Sequence, residues 1–237
     1  MNISQLKIKS DLLHSKLMSE KIADVLRKNI ISGNIKGGEK LNESQLSDAL
    51  NISRPPIREA FRTLATEGLI TLVPRKGAFV SELSIREVKE IYEMKSMMES
   101  FATRLAIPNL DEKEISELDL ILNLMEEKIK ENNFKEIQRL NIEFHRKMIE
   151  VSKNKKLIYF YESIVLPIRK YQRLGLSAPS SWKTSFEEHR SIVEAIRSGN
   201  IELAERLTRE HTMTATLRVI NRLNNRTSNP EYLDLFK

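Results

Sequence analysis

The chain has 237 residues, 40% hydrophobic and 30% charged, a composition that fits a soluble chain with one or two cored domains. It contains no cysteine, which excludes disulfides, thiolate zinc sites and a cysteine nucleophile and fits a reducing compartment, the cytoplasm. The formal net charge of +6 is uneven: residues 1–83 carry 13 Lys and Arg against 9 Asp and Glu, whereas residues 84–237 carry 26 against 24, so the basic excess sits where phosphate binding would use it.

Residues 1–14 alternate lysine with isolated apolar positions and read as a loose arm that includes His14. The arm lacks the apolar run of a signal peptide, and no later run is long enough to span a bilayer, so no membrane partner is expected. Residues 15–32 form an amphipathic pattern (Leu17, Ile22, Val25, Leu26, Ile30, Ile31) closed by Gly33. After a Gly37-Gly38 turn, Asn42-Glu43-Ser44-Gln45 fits a capping box, with Asn42 as cap and Gln45 reaching back, and starts a short helix through Leu50. Asn51-Ile52 makes the tight turn that follows. Ser53-Arg54-Pro55-Pro56 is then a helix start, since proline in a first turn lacks only an N–H that would have no partner. That helix places Ile57, Ala60, Phe61, Leu64 and Ala65 on one face and Arg54, Arg58 and Arg62, four apart, on another, with Gly68 as its stop. Two β-like runs, 69–73 and 78–81, flank the basic turn Pro74-Arg75-Lys76-Gly77. An arginine-edged helix backed by a basic hairpin is the layout of a winged helix-turn-helix over residues 15–82.

From residue 83 the pattern is helical. Helices are expected over 85–107 (stopped by Pro108), 111–132, 134–152, 155–175 (kinked at Pro167), 182–198 and 201–224, with a loop at 175–181 containing Pro179. Six helices on short connections make a bundle over residues 83–226, and 227–237 reads as a tail. The expected fold is therefore mainly α: an N-terminal winged helix-turn-helix followed by an all-α six-helix bundle. His145, His189 and His211 fall in the bundle at positions where a helix face turns inward, and Asn141 lies one turn before His145. Three imidazoles and an oxygen donor can hold a divalent transition metal with positions left open. As a hydrolytic centre the set lacks a placed base, because Glu188 diverges from His189 by about 100° around a helix.

The spacing GxxxxGExLxExxLxxxLxxSRxPxREAxxxLxxEGL, followed from Gly33 to Gly77, resembles the DNA-binding domain of the GntR family. The stretches Asn141-Ile-Glu-Phe144-His145, Glu188-His189 through Gly199, and His211 resemble the FCD-type effector domain of its FadR subgroup. The resemblance implies a homodimeric transcriptional regulator, not an enzyme, that binds a near-palindromic double-stranded operator. Arg54 and Arg58 are its candidate base contacts, because arginine pairs bidentately with guanine. Ser44, Ser53, Arg62, Arg75, Lys76 and Gly77 are candidates for phosphate or minor-groove contact. It also implies a metal of the zinc, nickel or manganese class on Asn141, His145, His189 and His211, although many members have aspartate where this chain has Asn141. A small carboxylate effector would meet Lys95, where arginine is usual, and Asn154, which is also placed to cap the next helix. A regulator that responds to metal ions alone is the alternative reading.

Overall fold

The computed structural model describes residues 18–228, with side chains through residue 225; the expected arm at 1–14, His14, and the end of the expected tail lie outside the described residues. The chain divides into two compact units, the first running to Leu83 and the second from Ser84.

In the first unit α1 (Met18–Ser32), α2 (Glu43–Leu50) and α3 (Arg54–Thr66) are joined by a small sheet of β1 (Lys40–Leu41), β2 (Ile70–Val73) and β3 (Gly77–Val80). The helices bury one face each, through Ile22, Leu26 and Ile30 on α1, Leu46 on α2, and Ile57, Phe61 and Leu64 on α3. Local chemistry sets the boundaries. Asn42 accepts the N–H groups of Ser44 and Gln45. Asn51 adopts φ 51°, a left-handed conformation that asparagine tolerates, and so turns the chain from α2 into α3. Gly68, at φ 69°, closes α3. The strands are antiparallel in the order β1-β3-β2, with Lys40 opposite Phe79 and Thr71 opposite Phe79 on the other edge. Strand β1 was not expected. Two residues carry no periodic signal, and their pairing is with a strand nearly forty positions away.

The second unit is helical throughout its described residues. It comprises α4 (Ile85–Ala106), α5 (Glu112–Lys130), α6 (Phe134–Glu150), α7 (Lys155–Val165), α8 (Arg169–Gly175), α9 (Pro179–Arg197) and α10 (Ile201–Ser228). Helices α4 and α5 begin with full capping boxes, Ser84 with Glu87 and Asp111 with Glu114. The single helix expected over 155–175 is broken rather than kinked. Pro167 sits in a 3-10 turn, Leu166–Ile168, between α7 and α8, because its ring clashes with the carbonyl of Ser163 and it supplies no N–H. The loop expected through Ser181 is shorter than expected, since Pro179 is the first residue of α9, where a missing N–H is harmless. Helix α10 runs four residues past its expected end at 224 and into the expected tail. The core joins Leu118 and Met125 of α5, Leu140 and Phe144 of α6, and Ile192 and Ile196 of α9. Helix α8 lies close against α10: a Cβ on Gly175 would stand 2.8 Å from Val219 Cγ2.

Candidate DNA interface and histidine site

On the first unit, Arg54, Arg58 and Arg62 are all exposed along α3, while Ile57, Ala60, Phe61 and Leu64 of the same helix are buried. Arg58 Nε donates to Glu43 Oε1 of α2 at 2.8 Å, a partner the sequence reading missed. Arg62 donates to Glu59 at 2.6 Å, and the nearby Glu67 is taken by Arg27 at 2.7 Å. These exposed pairs are weak, so phosphate or a base edge can replace the carboxylate at little cost. Ser53 is the N-cap residue of α3, yet its hydroxyl makes no capping bond and stays available. Ser44 is half-buried in the first turn of α2. Arg75, Lys76 and Gly77 are exposed at the β2–β3 turn, with Arg75 at φ 63° and Gly77 at φ 107°.

In the second unit three helices bring the histidines together. His145 of α6, His189 of α9 and His211 of α10 are 6%, 0% and 3% exposed. The Nε2 of His211 lies 3.2 Å from that of His189 and 3.3 Å from that of His145. Two carboxylates aim the rings. Glu99 Oε1 stands 2.9 Å from His145 Nδ1, and Glu188 Oε2 stands 2.6 Å from His211 Nδ1. With Nδ1–H donated to a carboxylate, each Nε2 turns a lone pair toward the other rings. His189 has no such support: its Nδ1 is buried without a partner, and its ring stacks on Phe144 at 4.1 Å between centroids.

Glu99 is the hub of this site. Its carboxylate also accepts from Lys95 Nζ at 2.6 Å, Tyr161 Oη at 2.6 Å and Thr212 Oγ1 at 2.8 Å, and the residue is fully buried. Burial alone would raise its pKa, but the interactions with His145 and Lys95, both hydrogen-bonded to it, outweigh that and hold it well below the usual carboxylate range. Lys95 is 1% exposed, so it is not a solvated surface lysine. Glu188 likewise accepts from Arg218 at 2.6 Å, which overturns the expectation that Glu188 points away from the site. Asn141, Lys95, Gln172 and Arg218 line, with His145 and His211, a cavity of ≈ 20 Å³. Asn154 does not line it, and its side chain caps α7 by accepting from Lys156 and Leu157 N–H.

The donor set fits a transition metal. Two nitrogens bound at about 2.1 Å to one ion stand about 3.0–3.4 Å apart for angles between square and tetrahedral, which is the separation of His211 Nε2 from each of the other two, and all three donors lie within 4.8 Å of one another. Protonation, the other way to relieve facing lone pairs, is opposed by burial, which takes His145 down to about 4 and His189 well below its ordinary value. A stability prediction follows from that sign. In the unfolded chain these histidines take up protons near pH 6.5, whereas the folded metal-free protein keeps them neutral, so stability is full above that pH. It is lost progressively as the pH falls towards about 4. Urea midpoints of metal-free protein at pH 7.5, 5.5 and 4.5, read by Trp182 fluorescence, should fall in that order.

Comparison with known proteins agrees with both halves. Residues 18–80 match the profile of bacterial regulatory proteins of the gntR family, and residues 90–214 match that of the FCD domain. The chain belongs to the GntR family of transcriptional regulators, in its FCD-containing branch, and is not an enzyme. It is 34% identical to the HTH-type transcriptional regulator YdhC of Bacillus subtilis, over 78% of this chain and 84% of that one. The gluconate operon transcriptional repressor of Bacillus licheniformis is 30% identical over 77% of each. Among solved structures, E. coli McbR/YncC superposes with a TM-score of 0.74 at 20% identity, over 87% of this chain and 99% of that one, a likeness of fold. No described helix is long and apolar enough to cross a membrane.

Proposed function

We propose that this chain is a cytoplasmic homodimer that binds a near-palindromic operator and adjusts its grip according to a small carboxylate held in the helical unit. Two copies of α3 would enter successive major grooves, with Arg54 and Arg58 at base edges. Ser44, Ser53, Arg62 and the turn residues Arg75, Lys76 and Gly77 would meet phosphate or line the minor groove, fixing register. The observation that carries the effector half is the convergence of three buried imidazole nitrogens, each of two aimed by its own carboxylate. His145, His189 and His211, with Asn141 beside them, would hold a divalent ion of the zinc, nickel or manganese class. That ion, when bound, would offer open coordination positions to an anionic oxygen. The chain's own part is charge and shape. Lys95 and Arg218 line the cavity but are matched by Glu99 and Glu188, so a dication held by neutral ligands leaves positive charge for an acid to neutralise.

The effector then acts only through a difference in affinity between two arrangements of the dimer. Native mass spectrometry of the full chain, with and without added zinc, tests stoichiometry and ion content together. A monomer, or a dimer that takes up no ion, would refute this half. For the DNA half, Arg58→Ala should lower operator affinity by about 1–3 kcal/mol and relax preference at one base position. Binding to operator and to random duplex is compared at one salt concentration; equal losses on both would show that Arg58 reads no base.

A further inference from the structure

Arg58 and Arg62 lie one turn apart on α3 and each meets a carboxylate, but at different edges of the guanidinium. Glu59, on the same helix, accepts from Nη1 of Arg62, at the end of the group. Glu43 accepts from Nε of Arg58, at its side, and comes from a different helix, α2. A guanidinium offers two edges for a paired contact, Nη1 with Nη2 at its end or Nε with one Nη at its side. The bond to Nε closes the side edge of Arg58 and leaves the end edge for the O6 and N7 of a guanine. Glu43 is itself held in place. It is the first residue of α2, whose start is fixed by Asn42 accepting from the N–H groups of Ser44 and Gln45. Its side chain is 26% exposed against 60% for Arg58, so the carboxylate is the anchored member and the guanidinium the one it aims.

So exposed a bond adds little to the stability of the head. Its effect is on aim and on the choice of partner. A long side chain already held loses less rotamer freedom when it meets a base. The carboxylate also opposes phosphate, because the backbone repels it and it offsets the charge of Arg58. A guanine edge brings two acceptors and no net charge, so it is spared that repulsion. Resting on the reading of Arg58 as a base contact given above, we infer that Glu43 is the positioning residue that makes Arg58 a reader of guanine rather than a clamp on phosphate. An acid in a first helical turn also steadies its helix through the dipole. That role needs the charge alone, whereas aiming Arg58 needs an acceptor at the right reach.

Two variants of the full chain separate these roles. An operator is selected from randomised duplexes with the unaltered protein, and the guanine in question is the position where Arg58→Ala loses preference. Glu43→Asp keeps the charge but draws the acceptor back by one methylene. It should cut discrimination at that guanine from about 10-fold or more to within about 2-fold, with affinity for random duplex unchanged. Glu43→Gln keeps the reach and an acceptor without the charge. It should hold discrimination within about 2-fold of the unaltered protein while raising affinity for random duplex by about 2-fold or more. In an Arg58→Ala background neither change should alter preference at that position. Full discrimination in Glu43→Asp overturns the inference. So does a loss in either variant that is equal on operator and random duplex, the mark of a weakened helix start. Both of those results leave Arg58 standing as a base contact. If Arg58→Ala itself loses preference at no position, the base reading falls and this inference with it.

Discussion

Glu99→Ala should destabilise the helical unit by about 3–5 kcal/mol, the largest single effect expected in this protein. Removing the carboxylate strips partners from Lys95, Tyr161, Thr212 and His145 at once, and Lys95 is left as an uncompensated charge at 1% exposure. Trp182 is the only tryptophan and lies in the helical unit, stacked on Phe134 at 5.5 Å, so its fluorescence reports that unit's unfolding in urea. A loss below about 1 kcal/mol would mean that the four donors find other acceptors and that the network is not what holds α4, α6, α7 and α10 together.

The second large effect concerns metal uptake. His189→Ala should weaken zinc or nickel binding by at least about 100-fold, given that changes behind a ligand alone cost 10–100-fold. Operator affinity of the ion-free protein should be unchanged. Asn141→Asp should move affinity the other way, by about 10-fold, because a carboxylate adds charge to a ligand ring that otherwise has none. Competition against a chromophoric chelator measures both. Uptake that is indifferent to both substitutions would show that the imidazole cluster is not where ions bind.

Most of the DNA-binding unit could be read ahead of its structure because its signals are local. Asn42 caps the helix it precedes, Asn51 and Gly68 take the left-handed conformations that end helices, and the prolines after Ser53 sit in a first turn. Strand β1 and the Arg58–Glu43 pair escaped because each depends on distant chain. The three histidines and Asn141 were legible as residue types at inward helical positions, but the carboxylates behind them were not. Lys95 and Glu99 are four apart, the spacing of an ordinary solvated ion pair, and only the packing of neighbouring helices turns that pair inward. Glu188 does diverge from His189, as consecutive helical residues must. It still reaches the site because α10 brings His211 and Arg218 to meet it.

Helix α4 contains neither glycine nor proline over its 22 residues and follows strand β3 after only a few positions. Helices bend sharply where such residues occur, so this one should behave as a stiff rod. Glu99 lies about 20 Å along the axis from the first turn at 1.5 Å per residue. A swing of about 5° about the deep end therefore carries the near end about 2 Å sideways. That shift is comparable to the range over which a hydrogen bond is made or broken, so a slight resettling around one carboxylate can be felt at the first turn of the helix.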